Sequence, residues 1–290
     1  MKKINPLELF LWTFRRKEKD IINLYDSLSD LMRLATGGDM LNFGYWDEKT
    51  TTPLEAQKRM CTFFGKKAIL EPNQNIIDVG SGIGSPAIQW SLEYPSIKLS
   101  CININFTQLL ASINNVNKSF TTNNIQNFNF VNATATTLPF ENESIDRVLS
   151  LEAAQHFKPL KNFISESFRI LRKNGILALA IPVMTENHNI TISKLGALTF
   201  TWSSEHYSKD FVESTLKQEG FSNIDLQKIG SNVYEPLANF YIENRNSIKN
   251  KILKYYPAYV ENILFKSLKK MKEVSEKKII DYILISCTKK

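Results

Sequence analysis

Two periods govern the apolar positions of this chain. Short apolar or alternating runs at 76–79, 97–104, 128–131, 145–150, 176–181, 221–229 and 279–287 predict strands. Between them lie helical segments at 55–69, 85–93, 107–120, 161–171 and 208–219. Ahead of the first strand, Leu7, Phe10, Leu11 and Phe14, then Ile21, Leu24, Tyr25, Leu28, Leu31 and Met32, recur at helical spacing around a charged insert at 15–20. That pattern predicts one long helix or two short ones with an apolar face. Residues 183–207 follow no period and are aromatic (Phe200, Trp202, His206, Tyr207), as a lid over an acceptor would be. Residues 234–271 read as helical, an insertion before the last strand. Alternation of strands and helices calls for an α/β fold, a mostly parallel sheet with helices on both faces.

Chemistry concentrates at 75–90, N-I-I-D-V-G-S-G-I-G-S-P-A-I-Q-W. A buried strand ends in Gly80, Gly82 and Gly84, and a helix start follows, with Ser85 as N-cap and Pro86 at the first helical position. Glycines there let the backbone pass close to a ligand, and the helix start offers free N–H groups. The G-x-G-x-G spacing is neither the dinucleotide G-x-G-x-x-G nor a P-loop.

The Asp78-x-Gly80-x-Gly82-x-Gly84 run resembles the first motif of the class I S-adenosylmethionine-dependent methyltransferases. Further stretches carry the resemblance over residues 41–290. Leu41-Asn42-Phe43-Gly44-Tyr45-Trp46 is similar to the segment upstream of that motif in small-molecule members, where Tyr45 or its neighbours would lie over the cofactor. Leu138-Pro139-Phe140 with Ser144-Ile145-Asp146, and Leu151-Glu152 through His156-Phe157, match further family segments. The rebeccamycin-type sugar O-methyltransferases are similar in overall layout, including the helical insertion. The resemblance implies a Rossmann-like seven-stranded sheet with an antiparallel last strand. It implies a cofactor site at Tyr45, Asp78, Gly80, Ser81, Gly82, Gly84, Asn103, Ile104, Gln108, Thr134, Ala135 and Glu152, and His156 near the acceptor as general base, since imidazole titrates near neutrality.

Three departures stand out against that pattern. Asn103, Ile104 and Asn105 replace the acid that commonly holds the ribose; Asn103 and Gln108 would do so without charge. Thr134-Ala135 replaces Asp-Ala beside the adenine, and Ile181-Pro182 holds the place where some sugar O-methyltransferases carry an acid assisting the histidine.

Composition narrows the partners. Hydrophobic residues make up 43% of the 290 and charged ones 22%, ordinary for a globular protein. A net charge of +7 admits an anionic substrate, an anionic membrane surface or nucleic acid. Lysines at 249, 251, 254, 266, 269, 270 and 272 interleave with aromatics in the insertion. Phe10, Trp12 and Phe14 beside Arg15-Arg16-Lys17 leave a membrane-surface helix open as the alternative to a packed cap. Cys61, Cys101 and Cys287, and His156, His188 and His206, have no metal or disulfide spacing, so no metal is expected. No apolar run is long enough to span a bilayer, and a cytoplasmic protein is the default. No Asn/Asp-Pro-Pro-Tyr/Phe signature or basic-aromatic groove precedes the insertion, which argues against a nucleic-acid substrate.

The expected organisation is a helical cap over the active site at 1–55 and a core at 56–290 with lid-like insertions at 183–207 and 234–273. The expected function is methyl transfer from S-adenosyl-L-methionine, giving S-adenosyl-L-homocysteine, to a small natural-product or lipid-like acceptor, on oxygen with His156 as base. N- or C-methylation of an amine, phosphobase or lipid is the alternative, and a non-catalytic cofactor-binding partner subunit a second one. Oligomeric state stays open.

Overall fold

A computed structural model describes residues 17–38, 40–120, 125–185, 195 and 205–290. The helical reading of residues 7–14, His188, and the lid aromatics Phe200 and Trp202 lie outside the described residues.

Seven strands form one sheet in the order β3-β2-β1-β4-β5-β7-β6. They are β1 Asn75–Val79, β2 Lys98–Ile102, β3 Phe128–Val131, β4 Ile145–Leu151, β5 Leu171–Met184, β6 Phe221–Lys228 and β7 Ile280–Lys289. Pairings among β3, β2, β1, β4 and β5 are parallel, and β7 runs antiparallel to both β5 and β6. This is the Rossmann-like sheet that the resemblance implies.

Strand alternation sorts the core into two layers. Ile76 of β1, Ala178 and Ala180 of β5, and Tyr282 and Leu284 of β7 join one cluster; Ile77, Val79, Leu177, Leu179, Ile283 and Ile285 join the other. On the first face pack α2 (Pro53–Lys67), α3 (Ser85–Glu93) and α4 (Phe106–Ser119), through Met60, Phe64, Trp90 and Val116. On the second lie α5 (Leu160–Ile170) and α6 (Lys209–Gln218), through Phe163, Ile164, Val212 and Leu216. Both faces are therefore covered, which is why the central strands read as unbroken apolar runs. Helix α2 opens on a capping box: the Thr52 hydroxyl accepts from Glu55 N and the Glu55 carboxylate accepts from Thr52 N.

One helix, α1 (Glu18–Thr36), precedes the sheet and buries Leu24, Leu28 and Leu31. Within the described residues it starts at Glu18, inside the charged stretch expected to separate two helical halves. The insertion is three helices, α7 (Tyr234–Glu243), α8 (Arg245–Leu253) and α9 (Ala258–Glu276). Asn244 and Pro257 interrupt the apolar period at the two breaks.

One local expectation changes. The N-cap of α3 is Gly84, at φ 81°, and Ser85 is already helical. The turn after α5 takes its left-handed residue at Asn174, φ 65°. There β5 pairs once through Leu171 and resumes at Ile176, so the chain bulges at the turn instead of leaving the sheet.

Candidate active site

The carboxyl ends of β1, β2 and β4 open into one cleft, where ligands of open α/β sheets bind. It encloses about 1290 Å³, its mouth included. Asp78, Gly80, Ser81, Gly82, Asn103, Ile104, Gln108, Glu152 and His156 all line it. Nine of the thirteen residues expected from sequence are thus brought together.

The glycine loop is pinned by its neighbour strand: Ile102 O accepts from Gly80 N at 2.8 Å and Ser81 N at 3.0 Å. Its glycines answer to different demands. A Cβ on Gly80 would fall under 3.0 Å from Ala153 Cβ, and one on Gly84 under 3.0 Å from the Ser112 hydroxyl. A Cβ on Gly82 would meet nothing within 4 Å, so this glycine alone of the three borders open space. Gly84 itself caps α3 behind the cleft wall.

Two acids face the cleft. Asp78 is buried, Oδ2 has no hydrogen-bond partner, and burial pushes its carboxyl up to about 7. Glu152 holds a left-handed φ of 56° just past β4. Its carboxylate accepts from Phe43 N at 2.9 and 3.0 Å and from the Tyr282 hydroxyl at 2.9 Å. Burial pushes it up to about 8 despite those donors, which act in the opposite sense.

At the β2 end, Asn103 is occupied within the protein. Its Nδ2 donates to Gly82 O and Gln108 Oε1, each at 3.1 Å, and its Oδ1 accepts from Asn105 N at 3.0 Å. Asn103 braces the glycine loop, and Gln108 presents Nε2 towards α1, 3.5 Å from the Ser29 hydroxyl.

His156 ends a 3₁₀ turn, Ala154–His156, and its Nε2 lies 3.0 Å from the Tyr25 hydroxyl of α1, the rings edge to face. Burial, and then the Glu152 carboxylate, push the Tyr25 phenol well above its ordinary range, so it stays protonated. A protonated phenol can donate to Nε2, which leaves the ring proton on Nδ1.

Four expected residues lie elsewhere. Tyr45 packs its ring on Phe63, centroids 4.9 Å apart, while Phe43 lines the cleft. Gly44 between them, at φ 92°, fits against Ala56 where a Cβ would clash. Gly84 lies behind the loop. Thr134 donates to Glu18 at the start of α1, at 2.5 Å, and Ala135 is buried in the second core layer. Sequence reasoning missed Tyr25 and Tyr282, and reached Phe43 only as a neighbour of Tyr45. Tyr25 sat among the apolar positions of a helix, and only its hydroxyl marked it for a buried partner.

A second chamber of about 990 Å³, its opening included, adjoins the cleft. The two share Leu28, Met32, Met40, Leu41, Asn42 and Phe43. Helix α9 forms its far wall with Val260, Ile263, Leu264, Leu268 and Met271, and no charged side chain lines it among the described residues.

The methyltransferase-domain family matches residues 77–179, which hold the glycine loop, Asn103, Gln108, Glu152 and His156. The erythromycin 3''-O-methyltransferase of Saccharopolyspora erythraea is 23% identical over 265 residues, 88% of this chain and 86% of that protein. The cyclopropane synthase MmaA2 from Mycobacterium tuberculosis superimposes with a TM-score of 0.81 at 16% identity, over 95% of this chain and all of that one (100%). The [4+2]-cyclase SpnF superimposes with a TM-score of 0.77 at 17% identity, over 94% and 96%. At such identities the two structures speak for the fold alone, which hosts more than one chemistry. The cleft fits the cofactor on its own terms, with an unpartnered buried carboxyl oxygen on Asp78, open space over Gly82, and the Gln108 amide at the β2 end. Residues 77–179 belong to the methyltransferase-domain family, and with the relative and the cleft they show an S-adenosylmethionine-dependent methyltransferase of the small-molecule type.

Proposed function

We propose that the enzyme methylates a hydroxyl of a largely apolar small molecule, with His156 as base. The observation that carries this reading is the Tyr25–His156 contact: at 3.0 Å from Nε2 the cleft already accommodates a hydroxyl group. The uncharged chamber that continues from the cleft suits an apolar acceptor body better than a phosphobase.

When bound, S-adenosylmethionine supplies a methyl group on a sulfonium centre that leaves as a neutral thioether. Asp78, the loop Gly80 to Gly82, Gln108 and Glu152 would hold it, with Asn103 keeping the loop in place. The residues of the chain supply position and a proton acceptor. His156 Nε2 takes the acceptor proton as the acceptor oxygen bonds to carbon. Tyr25, donating to the same nitrogen before the acceptor arrives, keeps the ring in the tautomer that can do so. Helix α1 covers the cleft with Ile21, Ile22, Leu24, Tyr25, Leu28 and Met32, in keeping with a cap that excludes water.

The test is turnover on a panel of hydroxylated macrolide, glycoside and sterol-like acceptors. His156→Asn should lower kcat by at least about 10²-fold with cofactor affinity retained. Tyr25→Phe should lower it by about 2- to 13-fold, one neutral hydrogen bond. Full kcat in His156→Asn would remove the base and leave N- or C-methylation as the reading.

A further inference from the structure

Charge is distributed unevenly over this chain. Between residues 244 and 278 there are ten Lys and Arg against three Glu, a surplus of seven. The whole chain carries +7, so every other segment taken together is neutral. The surplus sits on α8, α9 and their flanking turns. The three glutamates there are already engaged: Glu261 with Arg245, Glu273 with Lys270 and Lys277, and Glu276 with Lys272. Lys249, Lys251, Lys254, Lys266 and Lys269 have no carboxylate within 4 Å among the described residues.

Helix α9 divides this charge from its apolar side. Ile263, Leu264 and Leu268 face the chamber, while Lys266 and Lys269 are exposed to solvent. At the turn between α8 and α9, Lys254 is exposed beside Tyr255, whose side chain is 54% exposed. Lysines with an exposed tyrosine match the composition of surfaces that rest at the headgroup level of a bilayer. No helix among the described residues is long and apolar enough to cross a membrane, so such a contact would be peripheral.

We infer that the outer face of α8 and α9 docks on an anionic phospholipid surface, placing the apolar chamber behind it next to the phase where apolar acceptors partition. The part concerning acceptor delivery rests on the function proposed above; the docking does not. Charge complementarity selects the surface, and the uncharged chamber directly beneath the same helix selects lipid over nucleic acid.

Sedimentation with sucrose-loaded vesicles tests it on the full chain. Vesicles of phosphatidylcholine and phosphatidylglycerol at about 7:3 should bind the protein at 0.1 M NaCl and release it at 0.5 M, and pure phosphatidylcholine should bind it weakly. Each lysine near the surface is worth about fivefold in partition, so Lys251→Ala/Lys254→Ala should weaken binding about 30-fold. Lys98→Ala/Lys118→Ala, two exposed lysines on β2 and α4, should change it less than twofold. Absence of vesicle binding, equal binding to neutral vesicles, an equal loss in the Lys98/Lys118 variant, or displacement from vesicles by polyuridylate would each overturn the inference. Methyl transfer to a soluble acceptor needs no vesicle, so failure here leaves the proposed function standing.

Discussion

The glycine loop makes a prediction that separates folding from binding. Gly80, Gly82 and Gly84 look equivalent in sequence, and all hold left-handed φ, at 82°, 56° and 81°. An alanine there costs about 1–2 kcal/mol in backbone strain. At Gly80 the new methyl also meets Ala153, and at Gly84 it meets Ser112. Overpacking adds about 1–3 kcal/mol, so Gly80→Ala and Gly84→Ala should lose about 2–5 kcal/mol of stability. Gly82→Ala carries only the strain, about 1–2 kcal/mol, because its methyl projects into open cleft. There it should cost cofactor affinity, at least tenfold in Kd, about 1.4 kcal/mol. Urea denaturation reads the first quantity and calorimetry with S-adenosylhomocysteine the second. If Gly82→Ala binds with native Kd, the open space over Gly82 is not where the cofactor passes. If Gly80→Ala is as stable as the native chain, the contact with Ala153 yields freely and the packing argument fails.

Two further outcomes follow from the same cleft. Gln108→Ala should weaken cofactor binding by about 0.5–1.5 kcal/mol, one neutral hydrogen bond; an unchanged Kd by calorimetry would move ribose recognition elsewhere. Glu152 and Asp78 have carboxyls raised to about 8 and 7, so the ligand-free fold holds protons that the unfolded chain has released. Their contribution to stability is full below the ordinary carboxylate range and is lost as pH rises through 7 to 8. Stability of the ligand-free enzyme should therefore fall over that window more steeply than that of Glu152→Gln; parallel melting-temperature curves for the two proteins would contradict the assignment.

Much of the scaffold was legible because a sheet covered on both faces writes itself as apolar runs, such as Leu177 to Ala180. The cleft floor was legible for a similar reason: strand, glycine turn and helix are contiguous, and Asp78, Gly80, Ser81 and Gly82 lie where the local pattern puts them. Which of Phe43 and Tyr45 meets the cleft was not legible, because Gly44 between them, at φ 92°, fits against Ala56, and the side that faces the cleft depends on α2 rather than on the local sequence.

What local motifs could not disclose is the contribution of α1, whose contacts cross between distant parts of the chain. Asp26 accepts from Asn105 at 2.8 Å, Glu18 from Thr134, and Tyr25 meets His156. These three partners follow β2, β3 and β4, so a single helix ties down three separate strand ends. Two of them sit where the family pattern has an acid and this chain has Asn or Thr. At both places a carboxylate of α1 reaches the strand end, Asp26 at Asn105 and Glu18 at Thr134, although neither acid lines the cleft. A motif read one strand at a time registers a missing acid and cannot register a partner supplied by another helix, because that contact exists only once the chain has folded.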